Sequence, residues 1–265
     1  MDDWKMRISF IGSGKVATHL ASACALQHQI VQIMSRDLEH ATTLACRVGA
    51  APIHQFEQLD ASIDLLIISV SDHAISNVIQ AVHPYLPNTL IVHTSGSTSI
   101  QQLTQQHANA GVFYPLQTFS FEREVNWSET PLFIEAATYQ GLKDLEVIAN
   151  SLSNKIYHYS SEQRLSLHLA AVFACNFSNY CYDAAKQIVD QQQVDFSLLY
   201  PLMLETARKA TLHDPALVQT GPAVRNDQNI LNMHQDLLNQ AKRPDLAEIY
   251  QLLSQAIIAR HHTQP

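Results

Sequence analysis

Gly12-Ser13-Gly14-Lys15-Val16-Ala17 closes a short apolar run, Ile8–Ile11, and opens a stretch in which Leu20, Ala21 and Cys24 recur at helical spacing. A strand, a tight turn and a helix start are therefore expected. In such a turn Gly12 allows the sharp bend, Gly14 lets a backbone come close to a pyrophosphate, and Ala17 lets helix and strand pack. The free N–H groups of the helix end then hold phosphate oxygens. The pattern alone is also that of an ordinary strand-to-helix connection, so the rest of the chain must support a nucleotide.

The second apolar strand, Gln29–Met34, ends in Ser35-Arg36-Asp37. An acidic residue in this neighbourhood accepts hydrogen bonds from an adenine ribose, whereas a cation there receives a 2′-phosphate. Arg36 offers a planar fork to such a phosphate and Ser35 a further hydrogen bond, so NADP is the expected cofactor. The other reading of Arg36 is a solvated surface arginine.

Further chemistry-bearing residues stand where other strands end. The run 64–70 is almost wholly apolar, the pattern of a parallel strand covered on both faces, and it leads into Ser71-Asp72. Val70, Ser71 and Asp72 are expected along the cofactor cleft, and Asp72 also suits a helix N-cap. The strand 89–93 leads into Thr94, Ser95 and Gly96, a small polar turn fit to face the nicotinamide ribose or a substrate. His93 is a candidate proton-transfer group or a histidine hydrogen-bonded at a strand end. Tyr114 ends the strand 111–114 and precedes Pro115-Leu116-Gln117-Thr118-Phe119.

Strands and helices alternate to about residue 160, with further strands at 131–135 and 155–159 and a helix between them. This order implies an α/β fold with a Rossmann-type, doubly wound, mainly parallel sheet. From Ser161 strand signals vanish. We therefore divide the chain into a nucleotide-binding domain, 1–160, and an all-helical substrate and dimerisation domain, 161–265. Its first helix, 162–191, is apolar nearly all round, as expected of a helix buried between neighbours or in a dimer interface. His168, Asn176, Asn179 and Asp183 fall in a sector of about 80° on it at 100° per residue. That stripe either satisfies internal hydrogen bonds or lines a ligand cleft. Helices follow at 196–212, 230–240 and 245–259, with Asp195 and Asp227 as caps and Arg260-His261-His262 in solvent.

Composition narrows the partners. At 265 residues, 46% hydrophobic and 15% charged, the chain can bury a real core. A net charge of −8 disfavours nucleic acid or an anionic membrane as the main partner. Cys24, Cys46, Cys175 and Cys181 lie in helical segments without C-x-x-C spacing, so reduced and mostly buried thiols are expected. The acidic start Met1-Asp2-Asp3-Trp4-Lys5 is unlike a signal peptide, and no apolar run approaches bilayer length, which points to the cytoplasm. The histidines show no i, i+4 pair with a third ligand, and no metal is expected.

Taken in order, the glycine turn, Ser35-Arg36, His93-Thr94-Ser95-Gly96, Tyr114 to Phe119 and Thr220-Gly221-Pro222-Ala223-Val224-Arg225-Asn226-Asp227 resemble a bacterial family assigned as NADP oxidoreductases. Members have a Rossmann domain followed by a helical domain of unknown function. The resemblance covers nearly the whole chain, and its fold relatives are pyrroline-5-carboxylate reductase, ketopantoate reductase and the β-hydroxyacid dehydrogenases. It implies NADP bound on Gly12, Ser13, Gly14, Lys15, Val16, Ser35 and Arg36, with a cleft between the domains. Where many members have histidine before Pro-Leu, this chain has Tyr114. The β-hydroxyacid dehydrogenases use a lysine four residues before an asparagine, and here Val172 and Cys175 stand at the corresponding places.

The expected function is hydride transfer between NADP(H) and an unidentified small carbonyl or imine substrate. His93, Tyr114, His168, Asn176 and Arg225 are the candidates for proton transfer or anchoring, and Arg225 is the expected carboxylate anchor. A homodimer through the helical domain is expected. The alternatives are a non-catalytic NADP-binding sensor and an imine reductase similar to pyrroline-5-carboxylate reductase.

Overall fold

Along the strand Leu65–Ile68, Leu65 and Ile67 join one apolar cluster while Leu66 and Ile68 join another, and all four are fully buried. Each face of this strand therefore needs its own layer of helices, which is why its sequence shows no polar alternation. The computed structural model describes residues 5–262, so the amino-terminal stretch up to Trp4 lies outside the described residues.

Eight strands form one sheet: β1 Arg7–Ile11, β2 Gln29–Met34, β3 Ala51–Ile53, β4 Leu65–Ile68, β5 Leu90–His93, β6 Ala110–Pro115, β7 Leu132–Ala136 and β8 Ile156–His158. Their spatial order is β3-β2-β1-β4-β5-β6-β7-β8, and every pairing is parallel except β6 with β7. The order reverses between β1 and β4, so their carboxyl ends flank a crevice, the place where ligands bind in open α/β sheets. Helices α1 Lys15–Cys24, α2 Leu38–Val48, α3 Ile75–Val82, α4 Gln101–Thr104 and α5 Tyr139–Leu152 connect the strands. Ala17, Leu20, Leu44, Leu145 and Ile148 from α1, α2 and α5 cover one face. Ile75, Ile79 and Leu103 from α3 and α4 cover the other.

The sheet has one strand more than the sequence indicates. Gly49 ends α2 in the left-handed conformation at φ +69°, and Ala51–Ile53 then pairs with β2 at the sheet edge. Pro52 is tolerated there because an edge strand need not donate from every residue.

Close contacts divide the chain into two units, one ending at Ala174 and one starting at Cys175. Helix α6, Ser161–Ala171, belongs with the sheet, although helical texture begins at Ser161. Its start is a capping box: Ser160 accepts from the Gln163 amide, and the Gln163 side chain accepts from the Ser160 amide. A π-helical segment, Val172–Phe177, follows α6 and precedes α7, Ser178–Asp190. The 100° progression that groups His168 with Asn176, Asn179 and Asp183 does not run through this wider turn.

In the second unit α8 Tyr200–Leu212, α9 Gln228–Gln240 and α10 Pro244–His262 follow. Leu238, Leu246 and Ala247 make a small core joined by Ala184 and Tyr250. His234 Nδ1 lies 2.9 Å from the Tyr250 hydroxyl, and Asp195 and Asp227 accept backbone N–H groups as caps. The last helix extends beyond the expected Ala259. His262 is not simply solvated, because its Nε2 lies 2.7 Å from the Val224 carbonyl oxygen.

Two burial expectations are corrected. Of the four cysteines only Cys24 is buried, because Cys46, Cys175 and Cys181 stand on helix faces turned away from a core. Of the two readings of the apolar helix, enclosure by neighbours within the chain does not hold for Leu165, Leu169 and Phe173, which are 49%, 57% and 64% exposed, and the other reading concerns a second copy. No helix among the described residues is long and apolar enough to cross a membrane.

Candidate active site

The glycine turn is fixed by contact between two strand ends. Gly12 has φ +115°, and a Cβ added to it would stand 2.1 Å from the Ser69 carbonyl oxygen at the end of β4. Only glycine fits, in both conformation and space. Gly14 caps α1 with no side-chain hydrogen bond, and a Cβ there would meet nothing within 4 Å. The first turn of α1 thus opens, uncapped by any side chain, onto a cavity of about 840 Å³ that Ser13, Lys15 and Val16 also line. A helix end with uncapped N–H groups suits a diphosphate.

At the end of β2, Ser13 Oγ donates to Ser35 Oγ at 3.2 Å, and both residues line the cavity with Arg36. Asp37 is occupied elsewhere. Its carboxylate accepts from the Glu39 and His40 amides at 2.9 and 3.3 Å as the N-cap of α2. The acid nearest the expected ribose position is therefore committed to the helix, while Arg36 is exposed and faces the cavity. This arrangement fits a phosphorylated ribose better than a free 2′-hydroxyl.

The ends of β4 and β5 supply another wall. Val70, Ser71, Asp72, Thr94, Ser95 and Gly96 all line the cavity. Asp72 does not cap α3; its carboxylate accepts from Ser97 Oγ and so ties the two strand ends together. Thr94 Oγ1 donates to Ser69 Oγ at 3.2 Å, and Ser95 Oγ accepts from the Ser97 and Thr98 amides.

Of the two readings of His93, the structure gives it the strand-end hydrogen bond. It is wholly buried, it does not line the cavity, and its Nδ1 accepts from the Ser95 amide at 3.1 Å. Burial, with the nearby Arg164 guanidinium adding to it, pushes its pKa down to about 3. His93 is therefore a neutral acceptor that shapes the Thr94-Ser95-Gly96 turn.

Tyr114 and His168 come together at the cavity wall. The Tyr114 hydroxyl lies 3.1 Å from His168 Nδ1, and the two rings meet edge to face at 6.0 Å. Tyr114 comes from β6 and His168 from α6, and both line the cavity beside Gly96. Burial raises the Tyr114 pKa, while the Arg164 charge acts in the opposite direction. Asn176 and Arg225 belong to the second unit, where both are exposed. Arg164 was not singled out from the sequence, since a lone arginine in an amphipathic pattern reads as surface charge. Phe119 of the Tyr114–Phe119 segment also lines the cavity, a placement that an aromatic residue in a loop does not reveal from sequence.

These features define a dinucleotide-binding α/β fold. Residues 7–96 match the family model described as NADP oxidoreductase, coenzyme F420-dependent, and residues 130–257 match a domain of unknown function, DUF2520. A structure named as a putative NADP oxidoreductase from Bacteroides fragilis is 39% identical, with 96% of this chain and 98% of that one covered at a TM-score of 0.89. The chain belongs to this NADP oxidoreductase family. A reductive aminase from Aspergillus terreus, in complex with NADPH and ethyl-5-oxohexanoate, is 14% identical with a TM-score of 0.70, covering 98% of this chain and 97% of that one. An imine reductase from Myxococcus stipitatus, in complex with NADP+, is 15% identical with a TM-score of 0.68, covering 96% and 95%. These last two share the fold. No curated protein matches the chain.

Proposed function

We propose that this protein is an NADPH-dependent reductase of a small C=N or C=O substrate, with Tyr114 as proton donor and His168 as its relay. The observation that carries this reading is the 3.1 Å Tyr114–His168 pair on the wall of the cavity into which the glycine turn opens. Bound NADPH supplies the hydride. Around it, the first-turn amides of α1 hold the diphosphate, Ser35 and Arg36 hold the 2′-phosphate, and the Thr94-Ser95-Gly96 turn borders the space beside Tyr114. In the productive arrangement His168 Nδ1–H donates to the Tyr114 oxygen, and the phenol hydrogen points to the substrate. Tyr114 then releases its proton to the substrate heteroatom and takes the Nδ1 proton of His168, whose Nε2 takes one from water so that the ring stays neutral.

An imine is favoured over a ketone. Burial makes the Tyr114 phenol a weaker acid than an exposed tyrosine, and an imine nitrogen, being far more basic than a carbonyl oxygen, can take a proton from so weak an acid. The homodimer is part of the same reading. The exposed apolar residues Leu165, Leu169 and Phe173 form a surface that a second copy of this chain would cover. Sedimentation velocity at micromolar concentration is expected to give a dimer; a monomer removes this part of the proposal.

The test is NADPH oxidation, followed at 340 nm, with a panel of cyclic imines and of small ketones with and without amines. Turnover is expected, and Tyr114→Phe is expected to lower kcat at least tenfold with little change in NADPH affinity. Tight NADPH binding with no turnover across the panel would favour a non-catalytic NADP-binding sensor.

A further inference from the structure

Arg164 is the largest fully buried side chain among the described residues, 1% exposed, and it stands one helical turn before His168 on α6. Burying such a charge is costly unless it is paired, and here both terminal nitrogens have partners while the buried Nε–H has none. Nη1 donates to Glu135 Oε2 on β7 at 2.6 Å, and Nη2 donates to the Thr98 carbonyl and, at 3.2 Å, to Ser161 Oγ. Ser161 Oγ donates to the same Glu135 oxygen at 2.7 Å and accepts from the Ile100 amide at 2.9 Å. One planar fork thus joins three elements: the helix that carries His168, the strand beside the one that carries Tyr114, and the segment that follows Gly96. Nothing in the cavity touches it, since Arg164 does not line the wall.

We infer that Arg164 is a positioning residue, the clamp that fixes the rotation and depth of α6 so that His168 Nδ1 meets the Tyr114 hydroxyl over Gly96. The inference rests on the proton-relay reading of that pair. A lysine would not serve equally, because a single ammonium lacks the two-nitrogen fork that reaches Glu135 and the Thr98 carbonyl together. A second effect follows from the same placement. The guanidinium charge opposes the burial that raises the Tyr114 pKa and adds to the burial that keeps His93 neutral.

The test uses the full chain and the double variant Arg164→Met with Glu135→Gln, which removes the buried cation and its half-buried carboxylate partner together so that neither is left unpaired. Histidine-labelled 15N NMR reads the His168 ring, assigned with His168→Asn. The parent is expected to show a single His168 tautomer, and the double variant exchange between two, while NADPH affinity stays within twofold. With a turned-over substrate, kcat is expected to fall at least tenfold at similar KM. A folded double variant that keeps the parental His168 signal overturns the inference. Should the double variant not fold, Arg164→Lys is read in the same way: partial loss of the signal supports the clamp, and a parental signal overturns it. The NMR readout needs no substrate. Loss of the single tautomer in a protein that reduces nothing therefore leaves the clamp standing and removes the relay, whereas the parental tautomer in an active enzyme does the reverse.

Discussion

Gly96 lies so close beneath His168 that a methyl group on its α-carbon would come within 2.6 Å of the imidazole Nδ1 and 2.7 Å of the Tyr114 ring. The pair and the glycine therefore depend on one another. Gly96→Ala is expected to push the two rings apart and lower kcat at least tenfold. It should destabilise the fold by about 1–3 kcal/mol, the usual cost of overpacking. Steady-state kinetics with a denaturant melt checks both, and an alanine variant with parental kcat would show that the close approach is not needed.

Gly12→Ala is a harsher change. The new methyl would meet the backbone carbonyl of Ser69 at 2.1 Å, and a φ of +115° is one that alanine rarely adopts. A loss of roughly 3 kcal/mol or more is expected from the combined strain and overpacking, together with loss of NADPH binding in a fluorescence titration. Gly14→Ala meets no neighbour within 4 Å in the free protein. Its effect is expected on cofactor affinity alone, with an unchanged melt.

Cofactor choice rests on Arg36 and on the commitment of Asp37 to α2. Arg36→Ala is expected to weaken NADPH at least tenfold and to leave NADH within about twofold, consistent with loss of a charge-assisted fork of about 1.5–3 kcal/mol. Competitive titration of the two cofactors decides it, and equal affinities in the parent would remove the role given to Arg36. Asp37→Ala is expected to cost about 1 kcal/mol of stability through the lost cap.

His93 gives stability a pH dependence. Its folded pKa is about 3 against an ordinary 6.5, so between these values the unfolded chain binds a proton that the folded chain refuses. Stability should be full above pH 6.5 and fall by up to about 1.4 kcal/mol per pH unit as the pH drops toward 3. His93→Asn, whose amide oxygen can take the Ser95 N–H, is expected to flatten that part of the profile in urea melts at pH 7, 6, 5 and 4. His28, also lowered by burial, leaves a residual slope.

Much of the sheet was legible because a strand covered on both faces must be apolar throughout, as Leu65–Ile68 is, and because Gly12 and Gly14 sit where a strand becomes a helix. β3 was not legible: three residues containing a proline carry no periodicity. The polar residues 35, 36, 71, 72 and 94 to 96 could be placed on the cavity because strand ends face one way in a parallel sheet. The behaviour of individual groups could not be read in the same way. Whether His93 faces a substrate or a backbone amide depends on one side-chain rotation. Asp72 capping a helix or holding Ser97 differs by a short displacement, and nothing local in the sequence records either. Arg164 was hidden for another reason, since its partners Thr98 and Glu135 lie far from it in sequence and meet it only once the sheet is closed.

The contact of Gly12 with Ser69 has a consequence for how the phosphate cradle comes into being. The turn after β1 takes its shape against the end of β4, a strand that comes after both α2 and β3 in the chain. A peptide holding only β1, α1 and β2 contains the whole glycine motif and the Met34 carbonyl that accepts from the Gly12 amide, yet lacks the Ser69 surface against which the bend is packed. Nucleotide affinity should therefore appear late in folding, after β4 has inserted beside β1, and a nascent chain paused before that strand should be blind to the cofactor.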